Sequence, residues 1–242
     1  MAQLAVLIAT SQGRVGLLFS RSLKSVLNQT VSPSLIVVVD DNDDSTISDA
    51  IKSRIEGLGI NTLQFLKNSH THGMSGTGSW NTGIEYINSN LGADSYTAVL
   101  DDDDEWAPNH LEVCLREIEQ HNPVGVFPWL RRTDMDRPLS FKQEQLTITN
   151  FLIGDPGIQG SNLVIRTGAL MSVGCFDETL PSCTDRDLMI SLLKKYSKAD
   201  FSVLDEVTVT HYASKDSVTG NRQSKHGGLA IFYRKHLAEF KD

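Results

Sequence analysis

Cysteine is scarce in this chain of 242 residues, which holds only Cys114, Cys175 and Cys183. Their odd number and irregular spacing exclude a disulfide framework and a zinc-ligand set. They predict a reduced cytosolic protein in which each thiol is a small buried apolar group. Basic residues are outnumbered, 22 Lys and Arg against 30 Asp and Glu, for a net charge of −8. So acidic a chain lacks the footprint of a nucleic-acid binder. Long apolar runs are missing as well. The stretch Leu4 to Ala9 is shorter than a signal-peptide core and far shorter than the roughly 20 residues of a membrane span. The expected location is the cytoplasm, with contact at a membrane surface left open. No repeat, low-complexity stretch or linker divides the sequence, so residues 1–242 are expected to form one domain.

What is present is an alternation of apolar runs and helical periodicity. Leu4–Ala9, Leu35–Val39, Thr62–Leu66 and Tyr96–Leu100 read as strands; residues 15–28, Thr46–Leu58 and Ser79–Asn88 read as helices. This βαβαβαβ order is that of an α/β fold with a mostly parallel sheet flanked by helices. Beyond it, helices are expected at Leu111–His121, Thr167–Val173, Asp185–Tyr196 and Leu229–Phe240. Strands are expected at Gly125–Leu130, Gly160–Ile165 and Phe201–Thr210, and residues 131–150 read as a polar loop or flap.

Two expected strands end in acid: Asp40-Asp41-Asn42-Asp43-Asp44 and Asp101-Asp102-Asp103-Asp104. In a parallel sheet both clusters lie on one edge, where open α/β sheets bind ligands. Four adjacent carboxylates repel one another unless a cation or a donor-rich ligand offsets them. A calcium loop would use Asp101, Asp103, Glu105 and Glu112, but Trp106 stands where its glycine is needed and a strand precedes it. Helix capping accounts for one aspartate, at about 0.3–1 kcal/mol, and not for four. A phosphohydrolase nucleophile would need a lysine that nothing marks. A divalent cation bridging a nucleoside diphosphate suits Asp101-x-Asp103, since Mg²⁺ and Mn²⁺ prefer carboxylate oxygens and keep positions open for phosphate. The glycine-rich run Gly73 to Gly78 lacks the spacing of a phosphate loop and reads as a flexible wall.

Taken in order, the motifs resemble family 2 glycosyltransferases of the GT-A fold, inverting enzymes with nucleotide-sugar donors. The resemblance spans most of residues 4–212. Leu7 to Arg14 is similar to the family's first strand and loop, and Ser25-Val26-Leu27-Asn28-Gln29 to its Ser-x-x-x-Gln helix end. Val37 to Ser45 resembles Val-Val-Asp-Asp-x-Ser, and Leu100 to Trp106 resembles Leu-Asp-x-Asp-Asp-x-Trp. Val173 to Leu180 resembles Val-Gly-Gly-Phe-Asp-Glu-x-Leu, and Thr184 to Leu188 falls at Glu-Asp-x-Asp-Leu. Trp80, Cys175 and Thr184 depart from the pattern, where the family has arginine, glycine and glutamate.

The resemblance implies a nucleotide-binding half over about residues 1–106 and a smaller acceptor-side lobe over about 107–242. It implies an inverting single displacement from a nucleoside-diphosphate sugar, with UDP the expected carrier, to a hydroxyl of a saccharide, lipid-linked or protein acceptor. Asp185 is the implied base and Asp187 the alternative, although Thr184 and Asp185 are also good helix caps. Asp103, Asp101 and His211 would hold Mn²⁺ or Mg²⁺. Thr10, Arg14, Asp40, Asp41 and Asp101 would meet the nucleotide, and Lys215 and Arg222 the diphosphate. Gly160, Ser161, Asn162, Asp104 and Trp106 would line the sugar and acceptor pocket, leaving Asp102 as a spacer pointing elsewhere. A catalytically silent nucleotide-sugar binder and a sugar-phosphate nucleotidyltransferase are the competing readings. The second wants a glycine- and lysine-rich loop that Thr10 to Arg14 does not supply.

Overall fold

The computed structural model describes residues 2–213 and 222–240. β1 (Leu4–Thr10), β2 (Leu35–Asp40), β3 (Leu63–Lys67) and β4 (Tyr96–Asp101) pair in parallel in the order β3-β2-β1-β4. Their side chains alternate between two cores. Ala5, Leu7, Val37 and Val99 enter one, while Val6, Ile8, Val38 and Leu100 enter the other. Burial on both faces is why these strands read as unbroken apolar runs.

The first helical stretch is three pieces: α1 (Val15–Leu17), a π-helical segment (Leu18–Ser22) and α2 (Leu23–Leu27). The widened turn brings Ser22 onto the carbonyl of Asp102, at 3.2 Å, and Arg21 onto that of Asp103, at 2.6 Å. π-segments of this kind favour functional sites. α3 (Ser45–Gly57) and α4 (Thr77–Leu91) complete the parallel half.

After β4 the sheet turns mixed. β5 (Glu105–Trp106) is a two-residue strand at the far edge, followed by α5 (His110–His121) and β6 (Gly125–Arg132). β7 (Val164–Arg166) runs antiparallel to both β4 and β6, and β8 (Phe201–His211) lies between β6 and β5. The strand expected from Gly160 begins only at Val164. Residues Gly160–Asn162 form a 3₁₀ turn, because Asn162 bonds the backbone of Gln159, Pro128 and Gly157 at 2.7–3.0 Å in place of a neighbouring strand. The expected flap carries order as well. Leu139 bridges Leu130, and α6 (Ile148–Ile153) starts at a Thr147 cap. α7 (Thr167–Ser172) and α8 (Thr184–Lys195) follow. The terminal helix is α9 (Arg222–Lys235), separated by His236 from a 3₁₀ turn at Leu237–Phe240. Among the described residues no helix is long and apolar enough to cross a membrane.

Candidate active site

Parallel pairing sets Thr10 beside Asp40 and Ala9 beside Asp101, so both acidic clusters share one edge. There the four aspartates diverge. A tight turn, with the Asp104 N–H on the Asp101 carbonyl at 3.2 Å, sends alternate side chains inward. Asp102 is 3% exposed and accepts from Thr10 Oγ1 at 2.7 Å, Ser11 N at 3.4 Å and Arg14 at 3.1 Å. Asp104 is fully buried and accepts from Ser161 Oγ at 2.5 Å, His211 Nδ1 at 2.9 Å and Tyr212 N at 2.9 Å. Asp101 and Asp103 stay on the open side. Asp103 shares the Arg14 guanidinium at 3.1 Å, and among the described residues no donor meets the Asp101 carboxylate.

This charge is only partly compensated, by the single Arg14 guanidinium at Asp102 and Asp103. Burial, then the Asp104, Asp103 and Asp185 carboxylates, push Asp101 well above the usual carboxylate range. Burial and Asp104 raise Asp103 against the pull of Arg14, and burial raises Asp102 despite Thr10 and Arg14. One oxygen each from Asp101, Asp103 and Asp104 lies within 4.8 Å of the others. Such a set of hard oxygens fits Mg²⁺ or Mn²⁺. The Asp104 oxygens already accept three hydrogen bonds, which leaves Asp101 and Asp103 as the freer pair. His211 stands outside that trio. Its Nδ1 is held by Asp104, and although burial pulls the imidazole down, Asp104 keeps it above its ordinary value. Nε2 is the ring nitrogen left for the site.

Asp185 sits in the first turn of α8 and does not cap it. The cap position is Cys183, at φ +65°, with no side-chain cap bond. Asp185 Oδ1 is buried with no hydrogen-bond partner, and burial together with the charge of Asp155 pushes the carboxyl up to about 7. Asp187, the alternative base, faces other partners. It is 3% exposed and bonded to Lys235 Nζ at 2.9 Å and His236 Nε2 at 2.7 Å, away from the cluster.

Gly160 lies between these parts. A Cβ there would stand 3.2 Å from the Trp80 ring, tighter than ordinary contact, and 3.5 Å from Asp101 Oδ1, so a side chain would press on Trp80 and lie against Asp101. Its backbone N–H also opposes the upward push on Asp185. Ser161 and Asn162 are buried beneath it, bonded to Asp104 and to backbone, and do not line an open pocket. Asp104 and Trp106 are buried likewise. Trp106 is 2% exposed, donates to the Ser161 carbonyl at 2.8 Å and stacks on His110. Trp80, which replaces the family's arginine, is buried against Phe176 with its indole N–H unpartnered.

On the nucleotide side, Thr10 is 2% exposed and its hydroxyl donates to Asp102, so it orients a carboxylate. Asp40 is likewise occupied. It is fully buried and saturated by Asn42 at 2.5 Å, Ser48 at 2.5 Å and Lys67 at 2.7 Å. Asp41 holds the glycine-rich wall through Asn68 at 2.6 Å, His72 at 2.6 Å and Gly73 N at 2.8 Å. Lys215 lies outside the described residues, and Arg222 is described only as the start of α9. Arg21 and Tyr212 were absent from the sequence reading. Arg21 stacks over the Tyr212 ring at 3.7 Å, tying the end of β8 to the aspartate turn, and no motif marks either residue. A separate groove of about 510 Å³ opens near His70, Cys175 and Lys235. Its acids are paired, Glu85 and Glu178 with His70 and Asp177 with Lys235, so it offers no comparable uncompensated charge.

Comparison with known proteins gives consistent results. The family model described as Glycosyl transferase family 2 matches residues 16–180. The chain is 23% identical over 239 residues to the putative colanic acid biosynthesis glycosyl transferase WcaA of Escherichia coli, covering 91% of this chain and 77% of WcaA. It is 34% identical over 112 residues to the succinoglycan biosynthesis protein ExoW of Rhizobium meliloti, covering 46% of this chain and 32% of ExoW. Among solved structures, S. aureus TarS 1-349 in complex with UDP-GlcNAc superposes with a TM-score of 0.65 at 17% identity, over 90% of this chain and 61% of that one. The mannosyltransferase PcManGT from Pyrobaculum calidifontis, in complex with GDP-Man and Mn²⁺, superposes with a TM-score of 0.68 at 14% identity, over 98% of this chain and 64% of that one. The chain thus spans less than two thirds of either solved neighbour, and at these identities they share its fold.

Proposed function

The chain belongs to glycosyl transferase family 2, and from that membership we propose an inverting, cation-assisted sugar transfer from a nucleoside-diphosphate sugar to an acceptor hydroxyl. The observation that carries this reading is one edge of the sheet where the Asp101 carboxylate, without a donor among the described residues, and Asp103, which shares Arg14, lie next to an Asp185 carboxylate with one buried oxygen unpartnered. Asp101 and Asp103 would hold Mg²⁺ or Mn²⁺, which as a Lewis acid offsets charge on a departing diphosphate. His211 Nε2 would complete that ligand set, with Asp104 orienting the ring through Nδ1.

Asp185 acts as the base. The acceptor oxygen forms its bond to the anomeric carbon as its proton passes to the Asp185 carboxylate, and the bond from that carbon to the β-phosphate oxygen breaks with its electron pair leaving on the nucleoside diphosphate. A carboxyl held near 7 suits this transfer. Arg14, Asp41 and Asp101 are the nucleotide-facing residues, with UDP the carrier favoured here. The names of WcaA and ExoW point to a saccharide acceptor in polysaccharide assembly.

Isothermal titration of UDP and GDP with Mn²⁺, followed by turnover of the matching sugar donors, tests the reading. Asp185→Asn is expected to lower turnover by about 10²–10⁴-fold while nucleotide affinity stays within about twofold. Unchanged turnover would reject Asp185 as base. Asp103→Asn is expected to abolish the Mn²⁺ dependence of nucleotide binding; identical titrations with and without EDTA in the wild-type protein would reject the cation.

A further inference from the structure

Asp185 and Asp187 are two residues apart on α8, so their side chains leave the helix about 200° apart, on opposite faces. One face turns toward the open aspartates. The other is covered by the C-terminal segment, which touches the turn on both sides of Asp185. Gly228 of α9 passes so close to Ser182 that a Cβ would stand 2.8 Å from its backbone nitrogen. Phe232 is fully buried in the core, and the Arg186 guanidinium lies over its ring at 4.4 Å. Arg186 also donates to the Phe151 and Leu152 carbonyls at 2.7 and 2.5 Å, fixing the same turn to α6. Asp187 then receives Lys235 Nζ at 2.9 Å and His236 Nε2 at 2.7 Å.

We propose that the C-terminal segment is a clamp on the turn carrying Asp185, and that His236 and Asp187 are positioning residues for sugar transfer. This rests on the reading of Asp185 as base. His236 is 1% exposed, its Nδ1 has no partner and its Nε2 meets Asp187, so its polar chemistry is directed at that one carboxylate. A helix turn that must present one carboxylate within a few tenths of an ångström of an acceptor gains from being fixed on its far face. The residues on either side of Asp185 are tied to other elements, and the carboxylate between them keeps a free oxygen.

The test uses the full chain. His236→Leu removes the donor to Asp187, and His236→Gln keeps an N–H near the position of Nε2. For the leucine variant, amide exchange at residues 184–187 is expected to rise about tenfold or more. Release of nucleoside diphosphate from a panel of UDP- and GDP-sugars is expected to fall about tenfold or more. UDP and GDP affinities with Mn²⁺ should stay within about twofold, and the glutamine variant should recover both exchange and turnover to within about threefold. Wild-type exchange or wild-type turnover in the folded leucine variant overturns the clamp, as does failure of glutamine to recover them. Should His236→Leu not fold, Lys235→Met, which removes the other donor from the surface side, carries the same expectations and the same refutations. Asp185→Asn separates the two readings. If it is inactive while His236→Leu turns over normally, the clamp fails and the base stands. If it is active, the base reading fails, and the clamp is judged on exchange at residues 184–187.

Discussion

Neighbouring residues of one type do different work here. Asp101 to Asp104 look alike in sequence, yet a single turn buries Asp102 and Asp104 in donors, leaves Asp103 with Arg14 and leaves the Asp101 carboxylate without a donor among the described residues. Asp185 carries the clearest consequence at this scale. With its carboxyl at about 7, turnover is expected to rise roughly tenfold per pH unit below that value and to level above it. In saturating Mn²⁺ the midpoint should lie lower, since a nearby cation favours the carboxylate. A plot of kcat against pH at two Mn²⁺ concentrations checks both. The same shift has a stability sign. A carboxyl whose folded pKa is raised above its unfolded value of 3.8 binds its proton more tightly when folded, so stability is full below that value and is lost as pH rises through about 7. In metal-free buffer at pH 8, Asp185→Asn is therefore expected to raise the melting temperature by at least about 2 °C, measured by differential scanning calorimetry.

At the scale of elements, short irregular pieces place the chemistry. The π-segment Leu18–Ser22 brings Arg21 and Ser22 to the aspartate turn, and the 3₁₀ turn Gly160–Asn162 supplies its floor. A side chain at Gly160 must push against the Trp80 ring and would lie in contact with Asp101. Gly160→Val is expected to cost about 1–3 kcal/mol of stability by overpacking, and nucleotide affinity with Mn²⁺ should fall because Asp101 is covered; urea unfolding and calorimetry read the two effects separately. Phe232 joins the C-terminal helix to the core. Phe232→Ala is expected to destabilise by about 3–5 kcal/mol, read in the same unfolding assay.

Across the whole molecule, β4 closes the parallel run β3-β2-β1-β4, and β7 beside it begins a mixed remainder in which β6 and β8 pair in parallel. Residues from both parts meet at one edge: Asp101 and Asp103 from the first, Asp185 and His211 from the second. A ligand bound there should bind the folded state alone. At one hundred times its Kd, UDP with Mn²⁺ is expected to add about 2.7 kcal/mol, or roughly 5–10 °C in melting temperature for a chain of this size. The Mn²⁺ part of that gain should vanish in Asp103→Asn, as read by a thermal-shift titration.

The parallel half was legible because strands buried on both faces leave unbroken runs such as Leu35–Val39, and because acid after such a run marks a strand end at a ligand-binding edge. The residue types of the site, and the order of its motifs, were therefore set by the sequence itself. What each member of an acidic pair is bonded to was decided only in three dimensions. Asp40 differs from Asp41, Asp102 from Asp103 and Asp187 from Asp185 through partners 27 to 92 positions away: Lys67, Thr10 and His236. Periodicity reports which side of an element a residue occupies. It carries no information on what a distant chain segment brings to that side, and at this site that decides which carboxylates are left to react.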